Sequence, residues 1–192
     1  MRAMVERAGP CDLRRGRPRR PHFAELARAI SYQQLAGKAA SAIHARFVAL
    51  FDGDGPTPEA VLALPVDALR GAGLSGSKTA SIRDLADKAI DGTVQLDRVA
   101  RLPDDEIVRE LTLVRGIGRW TAEMFLMFQL GRLDVWPVGD FGVRKGYATL
   151  YGLPGPPGAR ELETLGDRFR PYRSVAAWYC WRAVDTITPG DE

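Results

Sequence analysis

At 192 residues, with 45% apolar side chains, the chain can bury a core as one compact unit or as two small lobes. No apolar run approaches the ~18 residues a bilayer-spanning helix needs, and the opening MRAMVERAGP lacks the apolar stretch of a secretory signal. A soluble, cytoplasmic protein with no membrane partner is expected. Cys11 and Cys180 are too few for a thiolate cluster and too distant in sequence for a Cys-x-x-Cys site, so two unpaired thiols are expected. The net charge of +3 is uneven. Residues 1–20 carry seven arginines against Glu6 and Asp12, while residues 21–192 carry twenty basic and twenty-two acidic groups. The chain thus divides into a basic segment, 1–20, and a body, 21–192, that is not broadly basic. The run LRRGRPRRPH suits a phosphate contact and a solvated tail equally. A polyanion meeting the body must be held by a local patch or by backbone dipoles.

Taken in order, the elements are helical. Phe23, Leu26, Ala27 and Ile30 make the first apolar stripe. Lys38–Phe51 is alanine-rich, with Ile43, Phe47 and Leu50 on one side. Thr57-Pro58 reads as an N-cap followed by proline at the first helical position. Ile82, Leu85, Ala86, Ala89 and Ile90 follow helical spacing up to Gly92. Asp104–Leu111 reads as helix, with Val108, Leu111 and Val114 as its apolar ridge. A further helix starts near Arg119 and runs through WTAEMFLMFQL. GLPGPPG at 152–158 is a surface connection. Leu162, Leu165 and Phe169 mark a helix stopped by Pro171, and Ser174–Asp185 makes the last. No alternation of period two covers a strand length. The expected class is all-α, with roughly ten short helices.

Gly116-Ile117-Gly118 invites comparison with a dinucleotide cradle, since Asp140 follows a little over ~20 residues later. Thr121 stands where the third glycine belongs, and no strand precedes the turn, so no nucleotide cofactor is expected. Helix, glycine hairpin, helix is the better parse for residues 108–131. Gly116 and Gly118 would permit positive φ. The second helix then offers free N–H groups and the positive end of its dipole, an anion site that needs no cationic side chain. A plain turn between packed helices fits the spacing equally well. On the residues alone, Asp140 is a helix N-cap before Val143 and Tyr147.

LVRGIGRWTAEMFL followed by WPVGDFGVRKG resembles the helix–hairpin–helix (HhH-GPD) DNA glycosylases, and within them the compact, all-helical DNA-3-methyladenine glycosylase II branch. GPCDLR, AISYQQLAGKAASAI, GLSGSKTASIRDLA and RPYRSVAAWYCWRA agree in the family's order. The resemblance implies two helical lobes with the active-site cleft between them. It implies a monomer on double-stranded DNA at the bacterial nucleoid, flipping alkylated purines of the 3-methyladenine or 7-methylguanine type and hydrolysing their N-glycosidic bond. Asp140 becomes the catalytic carboxylate. Trp120 and Trp181 fall on aromatic pocket positions, Tyr179 shares the last helix, and Met124 stands where the family has an aromatic residue. The only histidines, His22 and His44, lie far from Asp140 in sequence. An alkylated purine is already cationic, so aromatic faces worth ~0.5–2 kcal/mol each serve it better than a general acid.

The expected DNA contacts are Gly116, Gly118, Arg119 and Thr121 at the hairpin, together with Lys78 and Lys145. Gln33 and Gln34 suit either helix-end capping or a hydrogen bond to the orphaned partner base. Leu74 and Ser75 of GLSGSK are candidates for the wedge that fills the vacated stack. Carbonyls of Thr112, Val114 and Ile117 resemble those that hold a structural Na+ or K+ in relatives, and no side-chain metal site is visible. Two rivals remain: a bifunctional glycosylase–lyase, which needs a lysine where Trp120 stands, and a non-catalytic DNA-gripping module.

Overall fold

The computed structural model describes residues 2–13, 20–51, 53 and 55–186. The arginine-rich stretch at 14–19 lies outside the described residues. In chain order the α-helices are α1 (Arg2–Ala8), α2 (His22–Tyr32), α3 (Gly37–Val48), α4 (Pro58–Ala63), α5 (Val66–Gly71) and α6 (Gly76–Ile90). They continue with α7 (Asp104–Thr112), α8 (Arg119–Met124), α9 (Phe141–Tyr151), α10 (Ala159–Gly166) and α11 (Arg173–Thr186). Helix α8 runs on as a π segment, Phe125–Leu130, and single 3₁₀ turns cover Val99–Arg101 and Asp167–Phe169. Among the described residues there is no strand, and no helix is long and apolar enough to cross a membrane. The chain forms two compact units, one drawn from Pro18–Phe125 and the other from Met1–Arg17 together with Leu126–Glu192.

In the Pro18–Phe125 unit, α6 is the central element. It packs on α2, α4 and α5, and its Ile82, Leu85 and Ala86 are fully buried. The stripe read on α2 is the buried one: Phe23, Leu26, Ala27 and Ile30. Thr57 caps α4 as expected, its Oγ1 accepting from the Ala60 N–H at 3.2 Å. Helix α3 stops at Val48, short of the expected Phe51. Three acidic residues, Asp104, Asp105 and Glu106, occupy the first turn of α7, where the helix dipole favours them.

In the other unit, α11 is central and packs on α9 and α1. Ala176, Ala177, Trp178, Tyr179, Cys180 and Ala183 are all buried, the pattern of a helix covered on most sides. Residues 2–13 are not a loose tail: Met4 and Leu13 are buried, and the Tyr179 hydroxyl donates to the Gly9 carbonyl at 3.0 Å. Burial and these bonds are why Tyr179, expected in the base pocket, is instead a packing residue. The start of α11 is pinned by Asp134, whose Oδ1 and Oδ2 accept from Arg173 at 2.7 and 3.0 Å.

Gly146 sets the distance between α9 and α11. A Cβ at Gly146 would lie 1.9 Å from the Cys180 carbonyl oxygen, a backbone atom that cannot step aside. The Gly146→Ala variant is therefore expected to lose at least about 1–3 kcal/mol by overpacking. Gly155→Ala, where a Cβ meets nothing within 4 Å, serves as the control. Thermal denaturation checks this: the Gly146 variant should melt several degrees below the control, and equal melting points would contradict the contact.

Candidate active site

The turn between α7 and α8 has one left-handed residue. Gly116 has φ +76°, and a Cβ there would sit 2.6 Å from the Ser81 hydroxyl of α6. Gly118 has φ −94° and ψ 172°, extended backbone open to any residue, so of the two glycines only Gly116 uses the positive φ that both permit. Gly118 is the N-cap of α8 and offers no side chain, so the first N–H groups of α8 carry no side-chain cap.

Three contacts hold the turn. Asp84 Oδ2 accepts from the Arg115 N–H at 2.7 Å. The Gln33 side-chain amide donates to the Gly116 carbonyl at 2.9 Å. The third is the close seat of Gly116 on Ser81. Burial alone would raise the Asp84 pKa, but the hydrogen bonds and charges of Lys88 and Arg115 outweigh it and hold the carboxyl below its usual value. Arg119 lies along α8, its Nε donating to the buried Glu123 at 2.8 Å. Thr121 is buried one turn into α8.

Beside the hairpin opens a pocket of 480 Å³, lined by Trp120, Thr121 and Met124 of α8, by Gly116, and by Tyr32, Gln33 and Gln34. Trp120 is 49% exposed, high for an indole and suited to receiving a ring. Gln34 is the one non-glycine among the described residues with positive φ, at +55°. Such a conformation costs on the order of 1–3 kcal/mol and tends to persist where function needs it. Tyr32 as a pocket wall and Gln34 as a strained position were both missed in the sequence, because glutamine carries no turn signature.

In the other unit, Asp140 is the N-cap of α9, and its Oδ1 accepts from the Val143 N–H at 2.8 Å. The same oxygen accepts from Trp181 Nε1 of α11 at 2.9 Å. Trp181 stacks on Phe128 of the π segment, with ring centroids 5.8 Å apart and planes at 28°. Gly142 makes room for this: a Cβ there would lie 2.9 Å from Trp181 Cδ1 and 3.1 Å from Asp140 Oδ1.

Other expected residues fall elsewhere. Leu74 is 2% exposed and belongs to the core, so it is not a wedge. Ser75 caps α6, its Oγ accepting from the Lys78 N–H at 3.2 Å. Lys78 reaches inward: its Nζ donates to the Ser31 carbonyl at 2.8 Å, and burial lowers its pKa. Gln33 is committed to Gly116, whereas Gln34 and Lys145 are exposed. Burial lowers the pKa of His22, and burial with the charges of Arg28 and Arg20 brings that of His44 down to about 4.

Comparison with known proteins gives these arrangements a context. Residues 27–171 match the HhH-GPD superfamily of base excision DNA repair proteins. The chain belongs to that superfamily. The HhH-GPD match spans the hairpin, the pocket residues of α2 and α8, and Asp140, and ends before α11. DNA-3-methyladenine glycosylase 1 of Schizosaccharomyces pombe is 36% identical over 181 residues, covering 93% of this chain and 79% of the yeast protein. The crystal structure of a DNA-3-methyladenine glycosidase from Bacillus halodurans superposes with a TM-score of 0.86 at 38% identity, over 96% of this chain and 83% of the other. The S. pombe 3-methyladenine DNA glycosylase in complex with abasic DNA gives 0.82 at 34% identity, over 94% and 89%.

The Asp84 clamp makes a pH prediction. A carboxyl whose folded-state pKa is depressed adds stability above its unfolded pKa of about 3.9 and loses it as pH falls through the lower folded value. Asp84→Asn should be less stable than wild type at neutral pH, and the gap should close on acidification. Urea midpoints measured from neutral pH down to about pH 2.5 test this, and a gap independent of pH would refute the clamp.

Proposed function

We propose that this HhH-GPD protein is a monofunctional DNA N-glycosylase that removes alkylated purines from double-stranded DNA, leaving an abasic site for base excision repair, and that it works as a monomer. The observation that carries the reading is Asp140, a half-buried carboxylate at a helix N-terminus held by donors from two helices. The names borne by the S. pombe and B. halodurans relatives support the same substrate class.

In this reaction the C1′–N bond of the flipped nucleotide breaks. Its electron pair moves onto the purine and cancels the positive charge placed there by alkylation. The base leaves neutral and needs no proton. Positive charge moves to the sugar, where a fixed Asp140 carboxylate stabilises it more than it stabilises the neutral sugar before cleavage. Water then adds to C1′ and gives up its proton, with Asp140 as the acceptor at hand. The α8 N-terminus takes a DNA phosphate, which fits a body without broad positive charge. The pocket of Trp120 and Met124 offers a π-face and a polarizable thioether to a cationic ring. Gln34, exposed and strained, is the residue for the orphaned partner base.

The hairpin carbonyls suit a structural Na+ or K+. The Val114 carbonyl accepts from the Ile117 N–H at 3.1 Å and keeps a second lone pair. With Thr112 and Ile117 it would supply the oxygen ligands a hard cation takes. No nucleotide cofactor enters the reaction as written.

Asparagine retains the capping acceptor, so Asp140→Asn should fold and bind DNA while releasing methylated bases about 100–1,000-fold more slowly. Single-turnover release from methylated duplexes measures this, and an unchanged rate would refute the mechanism. Because Trp120 stands in place of a lyase lysine, borohydride reduction during turnover should trap no protein–DNA adduct. A stable adduct would instead establish the glycosylase–lyase.

A further inference from the structure

We infer that Trp181 is a positioning residue for Asp140, its indole N–H fixing the carboxylate, and that the bare α-carbon of Gly142 and the ring of Phe128 hold the indole in place. This rests on the glycosylase reading and adds to Trp181 a role distinct from an aromatic pocket wall.

An N-cap aspartate held only by its own helix still turns about its terminal torsion, which is broad and roughly two-fold. Here the Val143 N–H and the Trp181 Nε1–H converge on one oxygen, Oδ1, at 2.8 and 2.9 Å. The first donor belongs to α9 and the second to α11. Two donors of independent origin fix the carboxylate plane as well as its position, which is what stabilising a developing charge at one carbon requires.

The indole has little room to deliver this bond from anywhere else. On one side it stacks on Phe128 at 5.8 Å. Its pyrrole edge lies against Gly142, where an added Cβ would come within 2.9 Å of Cδ1 and 3.2 Å of Nε1. Gly142 and Gly146 are one helical turn apart on the face of α9 that meets α11. Gly146 sets the approach of the two backbones, and Gly142 lets the side chain beside Cys180 reach the helix start.

The donor's chemistry also fits the task. An indole N–H is neutral and can only donate. It orients the carboxylate and leaves its full negative charge for the sugar cation. An arginine or lysine at the same place would put a positive charge beside the cation being formed.

Two variants test the inference. Trp181→Phe keeps an aromatic face for Phe128 and removes the donor. Gly142→Ala keeps the indole and displaces it. Both should slow base release in single-turnover assays by about 10–100-fold, the worth of a hydrogen bond to a charged group, with affinity for a duplex carrying an abasic analogue changed less than about three-fold. In ¹H–¹⁵N spectra the Trp181 indole N–H, assigned by its loss in Trp181→Phe, should move upfield in Gly142→Ala. Wild-type release rates in both variants, or a loss confined to DNA affinity, would overturn the positioning role while leaving the glycosylase reading in place. Full activity of Asp140→Asn, or no base release by wild type, would overturn both.

Discussion

The closeness of α9 to α11 at Gly146 is the constraint on which the setting of Asp140, the carboxylate proposed as catalytic, depends. With a Cβ excluded there, the backbone of Cys180 sits directly on α9. That contact brings the next residue, Trp181, to the start of the helix that Asp140 caps. It also leaves a burial so complete that the Cys180 thiol is pushed up to about 12, an inert group beside a polar site. Asp140 thus serves two purposes with one oxygen, ending the exposed N–H groups of α9 and receiving a donor from its neighbour. Were the helices a side chain further apart, Asp140 would remain a cap and nothing more.

In the proposed function the Pro18–Phe125 unit meets a different demand, the presentation of backbone N–H groups to a DNA phosphate. A turn that must offer them outward cannot be stiffened by burying it. It is tied instead from behind, by Asp84 and Ser81 of α6 and by the amide of Gln33. These ties are why several polar residues that look available for DNA in the sequence are occupied within the protein. The result suits a nearly neutral body: binding through dipoles at fixed places asks for geometry where a basic surface asks for charge. In the proposed reaction the substrate brings the remaining charge. A base that is already cationic needs aromatic and polarizable surfaces and no acid, and the aromatic, half-exposed Trp120 beside Met124 answers to that description.

The helical architecture was readable because its signals are local. The stripe on α2, the Thr57 cap and the cap of α9 depend on residues within a few positions of one another, whereas α7 buries Ile107 with Leu111 and leaves Val108 of the expected ridge only half-buried. The hairpin was readable for the same reason, and Asp140 as an N-cap followed from Gly139-Asp140 before an apolar helix. What stayed hidden depends on a distant partner. Gly142 and Gly146 sit inside a helix, where a glycine read alone is only a weakness, and their purpose exists only once α11 lies against them. Leu74 beside two glycines looks like a loop tip, yet α6 folds it into the core. Tyr179 and Trp181 are two apart on one helix, so they face different neighbours, and the sequence cannot say which faces the carboxylate. Gln34 shows the limit from the other side: its left-handed backbone has no compositional mark at all.

The account stands on the claim that Asp140 and its setting cut the bond between an alkylated purine and its sugar, and no other. Mass spectrometry of the bases released by the wild-type protein from dimethyl-sulfate-treated duplex DNA tests it most directly, with the strand examined before and after alkali. The account predicts free 3-methyladenine and 7-methylguanine, and a strand that breaks only when alkali is added. Release of no modified base, or a strand already nicked without alkali, would contradict it.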